Sequence, residues 1–342
     1  MTDPQTLRVA MFSAQPYDRR FFEEAREARC GADRDPVAID YHDTTLDIGT
    51  AVLAQDCAAV CVFVNDVLDA AVLERLHGSG VRAILLRCAG FNNVDLAALA
   101  RLGMFAARVP AYSPEAVAEH ALAMILTLNR RTHRAFNRVR EGNFALDGLL
   151  GFTLHGKTAG IVGTGKIGLA TARILRGFGC RVLGHDPAPA PAFGELGTMV
   201  PLDDLLQQSD VVSLHCPLTE ATRHLISHTT LGRMKEGAML VNTSRGALVD
   251  TAAVIEALKS HRLGALAIDV YEQESALFFR DHSSDIIADD VFGRLTTFPN
   301  VLITGHQGFF TVEALREIAA ITFDNLECWR AGAACPNLLP AP

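Results

Sequence analysis

The feature that most constrains this chain is a glycine fingerprint near its middle, Gly163-Thr164-Gly165-Lys166-Ile167-Gly168. The pattern is short, so its weight depends on what flanks it. Residues 157–162 read as a buried strand running into the first glycine. Ile167, Ala170, Ile174, Leu175 and Phe178 then recur at helical spacing as far as Gly179. A second strand, 180–185, ends on the acid Asp186, about twenty residues past the glycines. Strand, glycine turn, helix, strand and acid in this order describe a dinucleotide site. Gly163 permits the tight turn, Gly165 lets backbone approach a pyrophosphate, and Gly168 allows close helix–strand packing. The helix start offers unpaired N–H groups to the phosphates. Asp186 is expected to accept from the ribose hydroxyls and repel a 2′-phosphate, which favours NAD over NADP.

The fingerprint's address raises a question, because enough chain precedes it for another domain. That chain alternates strand and helix. Strands are expected at 7–12, 38–42, 58–64, 83–87 and 104–109, and helices at 19–28, 70–77 and 96–102. Such alternation implies a parallel sheet covered on both faces. Ser113-Pro114-Glu115 is a helix start, with serine as N-cap, proline at the first helical position and an acid in the first turn. No breaker follows before Gly142, so one long helix is expected, with Ala116, Val117, His120, Ala121, Met124, Ile125 and Leu128 as its apolar stripe. The alanine-rich face suits packing against another helix, including one in a second subunit.

After the fingerprint, strands at 211–215, 239–242, 265–270 and 301–304 complete a six-stranded sheet, with a helix at 250–260. Residues 272–298 form one long irregular stretch, and 187–191 (Pro-Ala-Pro-Ala-Pro) a surface loop. A final helix, 311–330, is long enough to return to the N-terminal lobe. That lobe is then discontinuous, 1–112 with 309–342, around a dinucleotide domain at 113–308.

Composition excludes several classes. Of 342 residues 49% are hydrophobic and 20% charged, an ordinary soluble balance, and a net charge of −8 argues against nucleic-acid or anionic-membrane partners. Eight scattered cysteines include no C-x-x-C pair and read as buried thiols of a cytoplasmic protein. No signal peptide and no bilayer-length apolar run is visible.

Hydride transfer to a carbonyl needs a substrate anchor and an acid–base group with a partner that tunes it. Arg245 lies just past a buried strand, where a guanidinium is able to hold a carboxylate through two parallel bonds. His306 follows the last expected strand and suits proton donation near neutral pH. His215 also ends a strand and is its one rival. An acid in the segment 269–274 could pair with the histidine, but spacing does not choose among Asp269, Glu272 and Glu274. No ligand spacing for a metal is present.

The motifs together resemble the D-isomer-specific 2-hydroxyacid dehydrogenases. The resemblance runs through Arg87-Cys88-Ala89-Gly90-Phe91-Asn92-Asn93-Val94-Asp95, Val109-Pro110-Ala111-Tyr112-Ser113-Pro114-Glu115, the glycine turn and Leu214-His215-Cys216-Pro217. It continues through Ser244-Arg245-Gly246, Asp269-Val270-Tyr271-Glu272 and Gly305-His306-Gln307. Within the family, Phe278-Phe279-Arg280-Asp281, the segment to Phe292, residues 305–311 and Cys335-Pro336-Asn337 resemble the bacterial fermentative D-lactate-forming branch.

The resemblance implies a Rossmann NAD domain inserted into a flavodoxin-like substrate domain, both doubly wound parallel α/β folds. It implies reversible reduction of pyruvate to D-lactate in a cleft between lobes, by a homo-oligomer joined through the NAD domain. It makes Arg245 the carboxylate anchor, His306 the proton donor and Glu274 its partner. Amides of Ala89 and Gly90 would share the carboxylate, and Tyr112 matches a pocket-wall position; Phe63, Tyr112 and Phe309 are the candidates for the walls that choose among ketoacids. Lys166, Ile167, Asp186, Cys216, Pro217, Thr222, Thr243, Ser244 and Asp269 match cofactor-contact positions, Asp269 near the nicotinamide carboxamide. Hydroxypyruvate, glyoxylate or phenylpyruvate are alternative substrates, and an NAD-sensing corepressor is an alternative role. Gly308 departs from the alanine that the family pattern leads one to expect.

Overall fold

The computed structural model describes residues 6–29, 36–274 and 277–341. Cys30 therefore lies outside the described residues. The chain forms two compact units, Met1–Ser113 with Phe310–Pro342, and Pro114–Phe309.

In the first unit the strands are β1 (Leu7–Met11), β2 (Val37–Tyr41), β3 (Ala59–Val62), β4 (Ala83–Leu86) and β5 (Phe105–Arg108). They form one parallel sheet in the order β2-β1-β3-β4-β5, the flavodoxin-like winding. β3 and β4 are buried along their whole length, as apolar runs in the middle of a doubly covered sheet must be. Its helices are α1 (Pro16–Arg29), α2 (Ala70–Gly78), α3 (Leu96–Leu102) and, from the C-terminal segment, the long helix Val312–Arg330. That last helix packs on α1, β4 and β5, with Phe323 against Phe22 at 5.9 Å between ring centroids. Thr311 caps it by accepting from the Ala314 N–H at 3.2 Å. The tail then runs antiparallel to β5, bridging Leu338 to Ala107.

The second unit opens with α4 (Pro114–Arg130) and α5 (Thr132–Arg140). The single helix expected over this stretch is two, because Arg131 turns into the left-handed region (φ 50°) and interrupts the hydrogen-bond ladder. Strands β6 (Thr158–Val162), β7 (Arg181–His185), β8 (Thr198–Met199), β9 (Val211–Leu214), β10 (Ala238–Asn242), β11 (Leu263–Ile268) and β12 (Val301–Ile303) follow. They lie parallel in the order β12-β11-β10-β9-β6-β7-β8. This is a Rossmann winding whose switch point falls between β6 and β9. The sheet has seven strands among the described residues, not six: β8 is a two-residue edge strand, too short to show alternation in sequence.

The intervening helices are α6 (Lys166–Gly177), α7 (Leu202–Gln208), α8 (His228–Arg233), α9 (Thr251–Lys259) and α10 (Asp290–Thr296), and the long C-terminal helix of the first unit is α11. α10 lies inside the stretch expected to be irregular; Asp289 caps it through the Phe292 N–H at 2.9 Å. Its Phe292 packs with Tyr271 and Phe278. α4 packs on α6 and reaches the β10–β12 side of the sheet.

Candidate active site

The glycine turn does three separate things. Gly163 has φ +94°, and a Cβ there would stand 2.5 Å from the Cys216 amide nitrogen, so the turn abuts the end of β9 at the switch point. A Cβ on Gly168 would lie 2.0 Å from the Gly163 carbonyl oxygen, which is the close helix–strand approach. A Cβ on Gly165 would meet no protein atom and would fill the face where a pyrophosphate must approach. Gly165 also begins α6 with no side-chain cap, leaving the first helical amides for an anion. Lys166 is exposed and Ile167 half-buried on that first turn.

Asp186 closes the turn from β7. Its Oδ2 accepts from the Thr164 N–H at 2.7 Å and its Oδ1 from the Ala188 N–H at 2.9 Å. Oδ2 also accepts from Thr164 Oγ1 at 3.3 Å, so Oδ1 keeps the acceptor capacity for a ribose hydroxyl. The other proposed cofactor contacts divide by what they already do. Thr222 Oγ1 donates to the Pro217 carbonyl and Ser244 Oγ to the Cys216 carbonyl, both at 2.7 Å, so these hydroxyls brace the loop after β9. Thr243 Oγ1 is buried with no partner, an unmet polar group at the end of β10. Burial pushes the Cys216 thiol up to about 11, so it stays protonated and unreactive. These residues fit a dinucleotide.

Arg245 is placed by an asparagine turn at the end of β10. Asn242 Nδ2 donates to the Arg245 carbonyl at 2.8 Å, and its Oδ1 accepts from the Ser244 N–H at 3.0 Å. The half-buried guanidinium uses Nη1 on the Ser244 carbonyl at 2.7 Å, and no carboxylate pairs with it among the described residues.

The choice of acid that spacing left open is resolved by geometry. Glu274 Oε1 lies 2.8 Å from His306 Nδ1, and Glu274 Oε2 accepts from the Tyr271 N–H at 2.9 Å. Glu272 is engaged elsewhere, with His224 Nε2 at 2.8 Å and Arg223 at 3.2 Å. A carboxylate only accepts, so His306 Nδ1 carries a hydrogen and Nε2 is the nitrogen available for chemistry. Phe279 and Phe309 frame the imidazole, with ring centroids 5.7 Å and 6.5 Å from it. The rival histidine differs: His215 Nε2 meets Ser213 Oγ at 2.9 Å, Nδ1 is buried without a partner, and burial pushes its pKa down to about 4.

Asp269 is almost wholly buried, and the structure shows it working on the His306 loop. Its backbone carbonyl accepts from the His306 N–H at 2.7 Å, Oδ1 from the Gln307 N–H at 2.9 Å and Oδ2 from the Gly308 N–H at 2.8 Å. Thr304 Oγ1 also donates to Oδ1, at 2.5 Å, and His120 Nε2 stands 3.3 Å from the same oxygen. Sequence reasoning missed His120, Thr304 and Phe279. The available signal for His120 was a polar ring on the otherwise apolar stripe of α4.

Ala89, Gly90 and Tyr112 belong to the first unit. The Ala89 carbonyl accepts from Arg108 Nη1 at 2.7 Å and the Gly90 carbonyl from the Cys88 thiol at 3.3 Å, which orients the peptides of this loop. Tyr112 is half-buried. Arg87, leading into the loop, is buried between Asp18 Oδ1 (3.3 Å) and the Ser13 carbonyl (2.7 Å), with its guanidinium 4.9 Å from the Phe63 ring. Phe63 is thus a floor for Arg87. Among the described residues no cluster of metal-ligating side chains occurs, and no helix is long and apolar enough to cross a membrane.

The profile of the D-isomer specific 2-hydroxyacid dehydrogenase NAD binding domain matches residues 122–308. The chain is 60% identical to 2-hydroxyacid dehydrogenase A of Aspergillus oryzae over 97% of its own length and 95% of that protein. It is 52% identical to D-lactate dehydrogenase of Escherichia coli over 97% of its length and all (100%) of that protein. A solved structure of the pyruvate reductase of Chlamydomonas reinhardtii is similar with a TM-score of 0.90 at 42% identity, covering 98% of this chain and 99% of that one. The cofactor of the second unit is NAD. The chain belongs to the D-isomer-specific 2-hydroxyacid dehydrogenases, an oxidoreductase family.

Proposed function

We propose that this chain is an NAD-dependent D-lactate dehydrogenase that reduces pyruvate to D-lactate. The observation that carries the reading is the His306–Glu274 pair at 2.8 Å, with Glu274 held in place by the Tyr271 amide. The names of its E. coli and Chlamydomonas relatives support pyruvate as the ketoacid.

Arg245 holds the substrate carboxylate through guanidinium nitrogens not spent on Ser244. When bound, NADH supplies the hydride that reduces the keto carbon. His306 Nε2 gives its proton to the keto oxygen, so the imidazolium becomes neutral as the hydroxyl forms. Glu274 stabilises the imidazolium before that transfer. Gly163, Gly165 and Gly168 with the start of α6 hold the pyrophosphate, and Asp186 the ribose. Phe309, almost fully buried beside His306, suits a small side chain on the ketoacid.

Oxidation of NADH with pyruvate, hydroxypyruvate, glyoxylate and phenylpyruvate tests the reading, with chiral analysis of the product. Preference for pyruvate and formation of D-lactate is the expected result. Preference for another ketoacid would move the enzyme within its family, and NADH binding without turnover of any of them would favour a sensing role.

A homo-oligomer joined through the second unit is part of this proposal. Phe136, Val139, Phe144, Leu146 and Leu150 are exposed on and after α5, apolar side chains that such an interface would cover. A cytoplasmic location is proposed because the described cysteines are free thiols, most of them buried.

A further inference from the structure

The catalytic histidine sits on a loop whose backbone is unusual. His306 has φ +55°, a left-handed conformation that an imidazole-bearing residue adopts only when its surroundings hold it there. Three consecutive amides do the holding, those of His306, Gln307 and Gly308, and all three donate to Asp269. Asp269 is therefore the anchor of the loop, and the question becomes what anchors Asp269.

The answer lies on another element. His120 projects from α4, and its Nε2 is 3.1 Å from Thr304 Oγ1 and 3.3 Å from Asp269 Oδ1. The bonding around these atoms has one consistent arrangement. Thr304 has one hydroxyl hydrogen, and the 2.5 Å contact directs it to Asp269 Oδ1. A lone pair of the same hydroxyl then faces His120, and a carboxylate has no hydrogen to give. Nε2 of His120 must carry a hydrogen, shared between Thr304 Oγ1 and Asp269 Oδ1. Oδ1 thus receives from His120, Thr304 and Gln307, whereas Oδ2 receives only from Gly308. The oxygen shared with α4 is saturated by protein, and Oδ2 keeps the spare acceptor site.

We propose that His120 is a positioning residue for the reaction: through Thr304 and Asp269 it ties the His306 loop to α4, and so fixes where the proton donor points. This rests on the reading of His306 as proton donor given above. The state of the carboxylate supports it as well. Asp269 would be held neutral by its burial, yet its pKa lies below the usual carboxylate range, because the donors from His120, Thr304 and Gln307 outweigh desolvation. Asp269 is the titratable group that His120 pairs with; Met124, beside Thr304, and Val117, beside Gly308, are neutral.

Gly308 belongs to the same arrangement. A Cβ there would come within 3.1 Å of Asp269 Oδ2 and 3.5 Å of His120 Cδ2. The glycine in place of the expected alanine leaves the pair its present spacing, and Gly308→Ala presses on the clamp from its open side.

The test compares His120→Leu, His120→Gln and Thr304→Val in the full chain. Loss of the donor in His120→Leu should lower kcat for pyruvate reduction about tenfold, with KM for pyruvate changed less than about twofold, because aim is lost rather than substrate binding. The alkaline limb of the kcat profile should move to lower pH, since a loosened loop weakens the contact between Glu274 and the imidazolium. His120→Gln, which keeps a nitrogen donor, should recover most of the rate. Thr304→Val should reproduce the leucine variant without touching α4, and it decides the matter should His120→Leu fail to fold. Wild-type kcat and an unmoved limb in Thr304→Val or His120→Leu would overturn the proposal, as would an unprotonated Nε2 in NMR spectra of nitrogen-labelled histidine. His306→Asn is the separate control: retained activity there would remove the proton-donor reading itself, whatever the His120 variants do.

Discussion

In the second unit His215 follows β9 and His306 follows β12, and the two have opposite chemistry. His215 bonds a neutral hydroxyl through one nitrogen and buries the other with nothing to bond, so burial alone acts on it and its pKa falls to about 4. His306 meets a carboxylate at 2.8 Å, and that carboxylate is itself locked by a backbone amide. Both have the address of a catalytic residue, at the carboxyl end of a parallel strand. What separates a structural imidazole from a proton donor here is the charge of its first partner. With its pKa pushed down to about 4, His215 is neutral near pH 7 and has no acidic proton to donate there.

The largest test of this contrast substitutes each histidine in turn. His306→Asn removes the donor and should lower kcat for pyruvate reduction about a thousandfold, within the range for loss of general acid catalysis. His215→Asn should leave kcat within about threefold of wild type, since no step uses that ring. Steady-state NADH oxidation at neutral pH measures both. A comparable loss in the two variants would break the contrast.

A smaller effect concerns stability. The folded pKa of His215, about 4, lies below the unfolded value of about 6.5. Between those values the unfolded chain binds a proton that the folded chain refuses, so stability falls as pH drops from about 6.5 towards 4 and is unaffected above that window. The linkage amounts to about 2 kcal/mol, after a reduction for the part of the residue that reaches solvent. Urea denaturation at pH 7 and pH 4.5 should show this loss in the wild type and a smaller one in His215→Asn. Equal pH dependence in both would mean that another group controls acid stability.

How much of this was legible beforehand follows from what each feature depends on. The glycine turn, the buried runs of β3, β4 and β10, and the Ser113-Pro114 helix start are local, so spacing and residue type reveal them. The break at Arg131 was hidden because nothing about an arginine announces a left-handed backbone. β8 is too short for a period, and α10 contains a glycine and follows a run of acids that reads as loop. At the site, Arg245 and His306 were visible as polar residues at strand ends. Glu274 was singled out by family resemblance, not by spacing, because choosing it over Glu272 needs to know that Arg223 and His224 reach the latter. His120 was read as part of an apolar stripe. Its partners lie far along the chain, and a pairing at that range has no periodic trace in sequence.

The finest test converts His306 towards the condition of His215. Glu274→Gln keeps the shape and a hydrogen-bond acceptor but removes the charge, so the imidazolium loses its nearest stabilising partner. Reduction of pyruvate needs the protonated ring. The alkaline limb of kcat/KM should therefore move to lower pH. The opposite reaction needs the neutral ring, and its acidic limb should move to lower pH by the same amount, because both limbs report one proton. At a pH well below the shifted value, reduction by the variant should return towards the wild-type rate, whereas a purely structural defect would depress every pH alike. A limb that stays in place, with rates uniformly reduced, would show that Glu274 orients His306 without setting its charge, and would reduce the contrast between the two histidines to one of exposure.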